Sequence, residues 1–232
     1  MAVKGNPMIC NDNAIPGALS CHHSGMAEIP LFPLSNALFP AGVLHLRVFE
    51  VRYLDMIRRC MAEGAEFGVV VLLAGNEVRT PEGSETLATV GTMARIDQCE
   101  APMPALLQLA CTGTTRFRLV SARRAQYGLW MGQAEPLPQP AEAEVPRELQ
   151  PSADALGQLI AGMQRDGVPA ASMPLAPPFR LDECGWVADR WAELLQLRPF
   201  EKARLLGLDD PVARLRAIQD ALQGLSSAAD DA

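Results

Sequence analysis

Lysine is nearly missing from this 232-residue chain: only Lys4 and Lys202 stand among its 20 basic side chains, the rest being arginine. A mechanism that needs an amine has just these two candidates. One falls in an N-terminal leader and the other on a helix face, where its charge reads as solvated. That excludes a Ser–Lys dyad. Histidine is as scarce, and of His22, His23 and His45 only the last lies in a patterned segment. A Ser–His–Asp triad would have to rest on it, and a lone strand histidine reads instead as a surface or half-buried side chain. No Gly-rich run ends in Gly-Lys to cradle phosphates. The six cysteines lie far apart without a CxxC pair, which reads as buried thiols in a reducing compartment rather than disulfides. Cys21-His22-His23 sets three donors side by side in the leader, a spacing without fixed ligand geometry. The sequence thus offers no catalytic residue, no metal site and no cofactor. Aromatics make up 5% of the chain, few for stacking on nucleic-acid bases. No apolar run approaches the roughly 18–20 residues of a membrane span.

What is present is enough apolar material for a core: 49% of residues are hydrophobic, and a chain of this length buries roughly 70% of its unfolded surface. The net charge of −7 and pI near 5.0 oppose a general hold on nucleic acid or anionic membrane. Residues 1–28 are polar, dotted with Gly and Pro and without periodicity, and read as a disordered leader. Ala18-Leu19-Ser20-Cys21 is similar to a lipoprotein cleavage site, but the segment before it has no apolar h-region. Met26 is an alternative start.

The densest patterning runs from Ile29 to Tyr53. Pro30 and Pro33 cannot donate to a ladder, so Ile29–Leu34 reads as a first or edge strand. After a turn near Ser35-Asn36 and a second proline-anchored apolar pair, Phe39-Pro40, the run Val43–Val48 alternates. Leu44, Leu46 and Val48 share one face and Val43, His45 and Arg47 the other. A helix is expected over about Val51–Glu63, with Tyr53, Ile57 and Cys60 inward, Arg52 toward water and Gly64 as its stop. Glu66–Ala74 is apolar on both faces and reads as a central strand. Val90–Ile96 follows, then Leu106–Thr112 and Thr114–Val120, expected as a hairpin hinged at Gly113.

The pattern PLFPL…LFP.G.L.L.VFE.RY closely resembles the opening of the Lon protease amino-terminal domain, in particular of members that stand alone without the protease body. VGTMARI and TGTTRFRLV resemble two further strands of that family, and the run from Val187 to Leu222 resembles its helices. Where most members carry a longer Gly/Asp-bearing turn, this chain has Glu100-Ala101-Pro102-Met103-Pro104. The resemblance implies an α+β fold: a PUA-like β-barrel with a helix after the second strand, followed by a C-terminal helical bundle. On that reading residues 29–135 form the barrel, 136–151 a Pro-rich linker, 152–224 the bundle and 225–232 a frayed tail. The helices are expected from Ser152 to about Met163 or Arg165, from an Asp182 cap to Leu197, from Pro199 to Gly207, and from Pro211 to Gly224.

The resemblance further implies a cytoplasmic, non-catalytic module that binds unfolded or hydrophobic polypeptide in a groove between barrel and bundle, lined by exposed apolar residues. A protease or chaperone acting in trans, and a homodimer, are left open. Glu50, Arg52 and Tyr53 end the motif; they read either as a rim contacting a partner or, preferably, as a fastening of strand to helix with Tyr53 packed beneath. Phe32, Phe39 and Phe49 read as core first and binding surface second, each burial contributing roughly 1.5–3 kcal/mol. The alternative function is RNA binding through Arg116, Arg118, Arg123 and Arg124, of which Arg116 and Arg118 share an expected solvated strand face.

Overall fold

The computed structural model describes residues 26–77, 85–169 and 173–230, with side chains through 224. The leader to residue 25 with Cys21-His22-His23, the Pro81–Ser84 turn and part of the Val168–Pro178 loop lie outside the described residues. Strand β1 (Ala27–Leu34) is not an edge. Its first half pairs antiparallel with β6 (Trp130–Pro136), and its second half pairs parallel with β3 (Phe67–Ala74). Pro30 falls in the first half and Pro33 in the second, so each sits where the strand has a partner on one side only. That is how two residues without a donor are tolerated in a paired strand.

The strand order is β2-β5-β4-β3-β1-β6, and β5 also pairs with β6. The pairing therefore runs round a closed circuit of β5, β4, β3, β1 and β6, with β2 (Val43–Val48) attached outside on β5. Strand β5 (Leu106–Arg124) passes straight through Gly113. The reversal expected there occurs instead at Pro104-Ala105, between β4 (Thr86–Met103) and β5, where Met103 pairs with Leu106. Gly113 serves a close approach: a Cβ on it would stand 2.2 Å from the Phe39 carbonyl oxygen. The 39–42 segment is instead tied down on bare backbone, with Ala41 N–H donating to Gly113 O at 2.8 Å.

Helix α1 (Val51–Glu63) has the expected bounds, and Gly64 caps it at φ 63° in the left-handed conformation that glycine adopts without cost. Its inner face, with Phe32, Phe67, Val69, Leu109 and Cys111, forms one apolar cluster. The opposite face of the sheet packs on α2 (Gln150–Arg165), α3 (Cys184–Leu194), α4 (Pro199–Leu206) and α5 (Pro211–Asp230). Leu31, Phe39, Val70 and Phe117 from the strands join Leu156, Val187, Leu206 and Ile218 from those helices in a single second cluster. β3 serves both, with Val69 facing the first and Val70 the second.

Several boundaries and faces differ from expectation. Helix α2 starts before Ser152, whose buried hydroxyl donates to Gln219 Oε1 at 3.1 Å rather than capping. α5 continues past Gly224 to Asp230, and Asp210 caps it by accepting Val212 N–H at 2.9 Å. Lys202 is buried, not solvated: its ammonium donates to Asn36 Oδ1 at 2.8 Å and to the Glu193 carbonyl at 3.3 Å. Burial holds its pKa below the usual lysine range. Phe49, expected in the core, is 58% exposed; with Leu44, Leu46 and Val48 inward, period-2 alternation sends residue 49 outward.

Candidate polypeptide-binding groove

Three of the motif residues, Phe32, Arg52 and Tyr53, form one stack at the start of α1. The Phe32 and Tyr53 rings lie 4.1 Å apart and nearly parallel, and the Arg52 guanidinium sits 4.4 Å over the far ring. Burial of Tyr53 pushes its phenol up to about 12, so it stays neutral. Arg52, expected toward water, is buried. Its Nε donates to Glu50 Oε2 at 3.0 Å, and its terminal nitrogen donates to the Gly128 carbonyl at 3.0 Å. Arg52 can do this because the β5–β6 connection folds back over the start of the helix. Phe32, Phe39 and Tyr53 are all core; Glu50 and Arg52 join the strand–helix junction to that connection.

The carbonyl that Arg52 holds follows a conformational outlier. Tyr127 lies in a 3-10 turn (Gln126–Gly128) at φ 58°, ψ 13°, left-handed for a residue with a bulky side chain, and such a conformation costs about 1–2 kcal/mol. Tyr127 is 67% exposed. Gly128 N–H to Ala125 O at 3.0 Å, Ala125 N–H to Leu129 O at 2.7 Å and the Arg52 bond together impose the turn.

Tyr127 stands on the wall of a groove of about 570 Å³ between α1 and the β1–β6 strands. Met56 and Cys60 from α1 face Pro30, Leu129 and Met131 across it, and Asp55, Glu63, Glu66 and Arg59 lie along its sides. Methionine's unbranched thioether adapts to varied shapes, which suits a surface that takes more than one sequence. Burial raises the Cys60 thiol's pKa, which disfavours the reactive thiolate. Among the described residues no cluster of His, Cys, Asp and Glu has metal-ligand grouping, and no helix is long and apolar enough to cross a membrane.

The cleft between strands and C-terminal helices, where the sequence placed the binding groove, is smaller, at about 250 Å³. Arg116, Arg180, Arg214, Glu183 and Asp189 line it together with Leu137, Pro138, Pro140 and Trp186. Arg116 is not on a solvated strand face. It is 3% exposed and donates to the carbonyls of Leu206 (2.9 Å), Leu208 (3.2 Å) and Pro138 (3.1 Å) and to Asp209 (2.9 Å). Arg214 pairs with buried Asp189, whose carboxyl burial pushes up. Of the four arginines proposed for RNA, Arg123 pairs with Glu28 and Arg124 with Glu85; Arg118 is exposed and has no ion-pair partner among the described residues. Four donors thus do not converge on one surface.

Comparison with known proteins agrees with this architecture. Residues 28–224 match the family described as ATP-dependent protease La (LON) substrate-binding domain. The chain belongs to this family. The Lon N-terminal domain protein from Xanthomonas campestris superimposes with a TM-score of 0.65 at 30% identity, over 84% of this chain and 98% of that one. The N-terminal domain of Mycobacterium avium complex Lon protease has the same fold at 17% identity, with a TM-score of 0.53 over 84% of this chain and 97% of that one. A Lon protease of Syntrophomonas wolfei is 28% identical over 208 residues, covering 86% of this chain but 24% of that protein. The LON substrate-binding fold, mixed α and β, is thus the fold of residues 28–224. Within the motif at Phe49–Tyr53, Arg52 is the residue that bonds to the β5–β6 turn. Sequence reasoning did not single out Tyr127, Met56 or Met131. A tyrosine before glycine in a short strand connection, with no apolar periodicity to absorb it, is the signal that could have found the first.

Proposed function

We propose that the chain is a non-catalytic module that binds unfolded or apolar polypeptide, and that the groove between α1 and the β5–β6 turn receives it. The observation that carries this reading is the groove itself: open, walled by methionine, leucine and an exposed tyrosine whose strained backbone is held by the family motif. Strain kept in place by buried bonds is retained at functional positions, and an exposed tyrosine contributes apolar area at little entropic cost. Membership of the LON substrate-binding family supports the same reading. The closed strand circuit corresponds to the PUA-like barrel, with the helices α2–α5 as its C-terminal bundle, and the module works in the cytoplasm. Calorimetric titration with a reduced, alkylated and therefore permanently unfolded protein tests it. Binding of the unfolded form but not of the same protein folded is expected; heat of neither would refute the reading.

A further inference from the structure

The stretches of sheet with a partner on one side only include the outer half of β4 and the whole of β2. The outer half of β4 loses β3 beyond Ala94. That edge carries Arg95, Asp97 and Glu100 and is broken by register shifts at Ile96/Gln98 and Glu100/Met103. Bulges and charges of this kind are how proteins close an edge to further pairing. Strand β2 is different. It pairs only with β5, in unbroken register from Val43↔Thr112 to Val48↔Leu107, and contains no proline. Gly113 N–H donates to Gly42 O at 2.9 Å, and antiparallel alternation then turns the backbone groups of Leu44, Leu46 and Val48 to β5. Those of Val43, His45 and Arg47 then face away from β5, on the side where, among the described residues, no other strand pairs with β2.

Both ends of this edge carry apolar side chains, with Asn36, His45 and Glu193 beside those at its start. At the start of β2, Leu34, Leu38, Leu44 and Leu194 help to line a cavity of about 250 Å³. At its end, Phe49 and Val51 are 58% and 65% exposed. The pairings of Val48 with Leu107 and of Leu106 with Met103 bring the exposed Met103 of the hairpin tip to the same end. We propose that β2 takes up an extended segment of unfolded polypeptide as an added strand along this edge. The inference rests on the polypeptide-binding reading and names the means of recognition. Backbone hydrogen bonds supply affinity that tolerates any sequence, and the two apolar ends favour segments with apolar side chains. A net charge of −7 opposes a second copy on the same edge and favours segments with basic flanks.

Hydrogen exchange on the whole chain tests this, with the same unfolded protein as ligand. The amides of Val43, His45 and Arg47 should slow at least about tenfold on binding. A short peptide of alternating valine and threonine with lysine ends should bind, and its copy N-methylated at alternate residues should lose about tenfold or more in affinity. Bound polypeptide with those three amides unchanged, or equal affinity of the methylated peptide, overturns the added strand while polypeptide binding stands. Slowing that appears with protein concentration alone assigns the edge to a second copy and also overturns it. Absence of any polypeptide binding refutes the underlying reading itself.

Discussion

Arg52 is the most informative side chain to remove. It is buried, pairs with the partly buried Glu50 at 2.9 Å, donates to Gly128 O and covers the Tyr53 ring. A hydrogen bond from a charged group contributes about 1.5–3 kcal/mol and its loss strands a carbonyl; the cation–π contact contributes about 0.5–1 kcal/mol. The ion pair, screened on the Glu50 side, adds at most about 1 kcal/mol. These terms overlap, so Arg52→Ala should cost roughly 3 kcal/mol. In a domain of this size that lowers Tm by about 6–12 °C. Arg52→Lys should recover little, because an ammonium cannot span Glu50 and Gly128 as a planar fork does. Thermal unfolding by circular dichroism gives the stability, and exchange of the Gly128 and Leu129 amides reports whether the turn loosens. A loss below about 0.5 kcal/mol, or an unchanged turn, would refute the claim that the motif holds the β5–β6 connection.

Two further outcomes follow from buried charges. Arg116→Ala should destabilise by roughly 2–4 kcal/mol in urea unfolding, since three carbonyls lose a charged donor. Arg118→Ala, two residues along the same strand and exposed, should stay within about 0.5 kcal/mol; equal effects would contradict the assignment. Burial raises Glu193, which accepts from Phe39 N–H and pairs with Arg190, from 4.5 to about 7. A raised folded pKa binds the proton more tightly than the unfolded chain, so its contribution is fully present below about pH 4.5 and is lost as pH rises through about 7. Wild-type stability should therefore fall across that window relative to Glu193→Gln, by on the order of 3 kcal/mol. Parallel curves for the two proteins would show that Glu193 titrates normally.

Local pattern carried much of the architecture. The alternation of β2, the bounds of α1 with its glycine stop, and the two-faced apolarity of β3 are all properties of short windows, and each is where the sequence put it. The misread side chains have a common cause. Arg52 finds its carbonyl 76 positions away, Arg116 one 90 positions away and Lys202 an amide 166 positions away. A charge whose partner is that distant looks solvated in any window. Gly113 failed for the same reason: glycine signals both a turn and a close approach, and only the packing of residues 39–42 decides between them. The groove was less legible still. Its walls come from β1, α1, the β5–β6 turn and β6, and the motif pointed to its support rather than to its surface.

The most direct measurement of the central claim is a titration of unfolded polypeptide into Tyr127→Gly beside the wild type, followed by fluorescence anisotropy. Glycine accepts the left-handed backbone, so the fold should keep its stability within about 0.5 kcal/mol. Affinity should fall at least tenfold, about 1.4 kcal/mol. Undiminished affinity in a variant with unchanged stability would contradict the assignment of the groove.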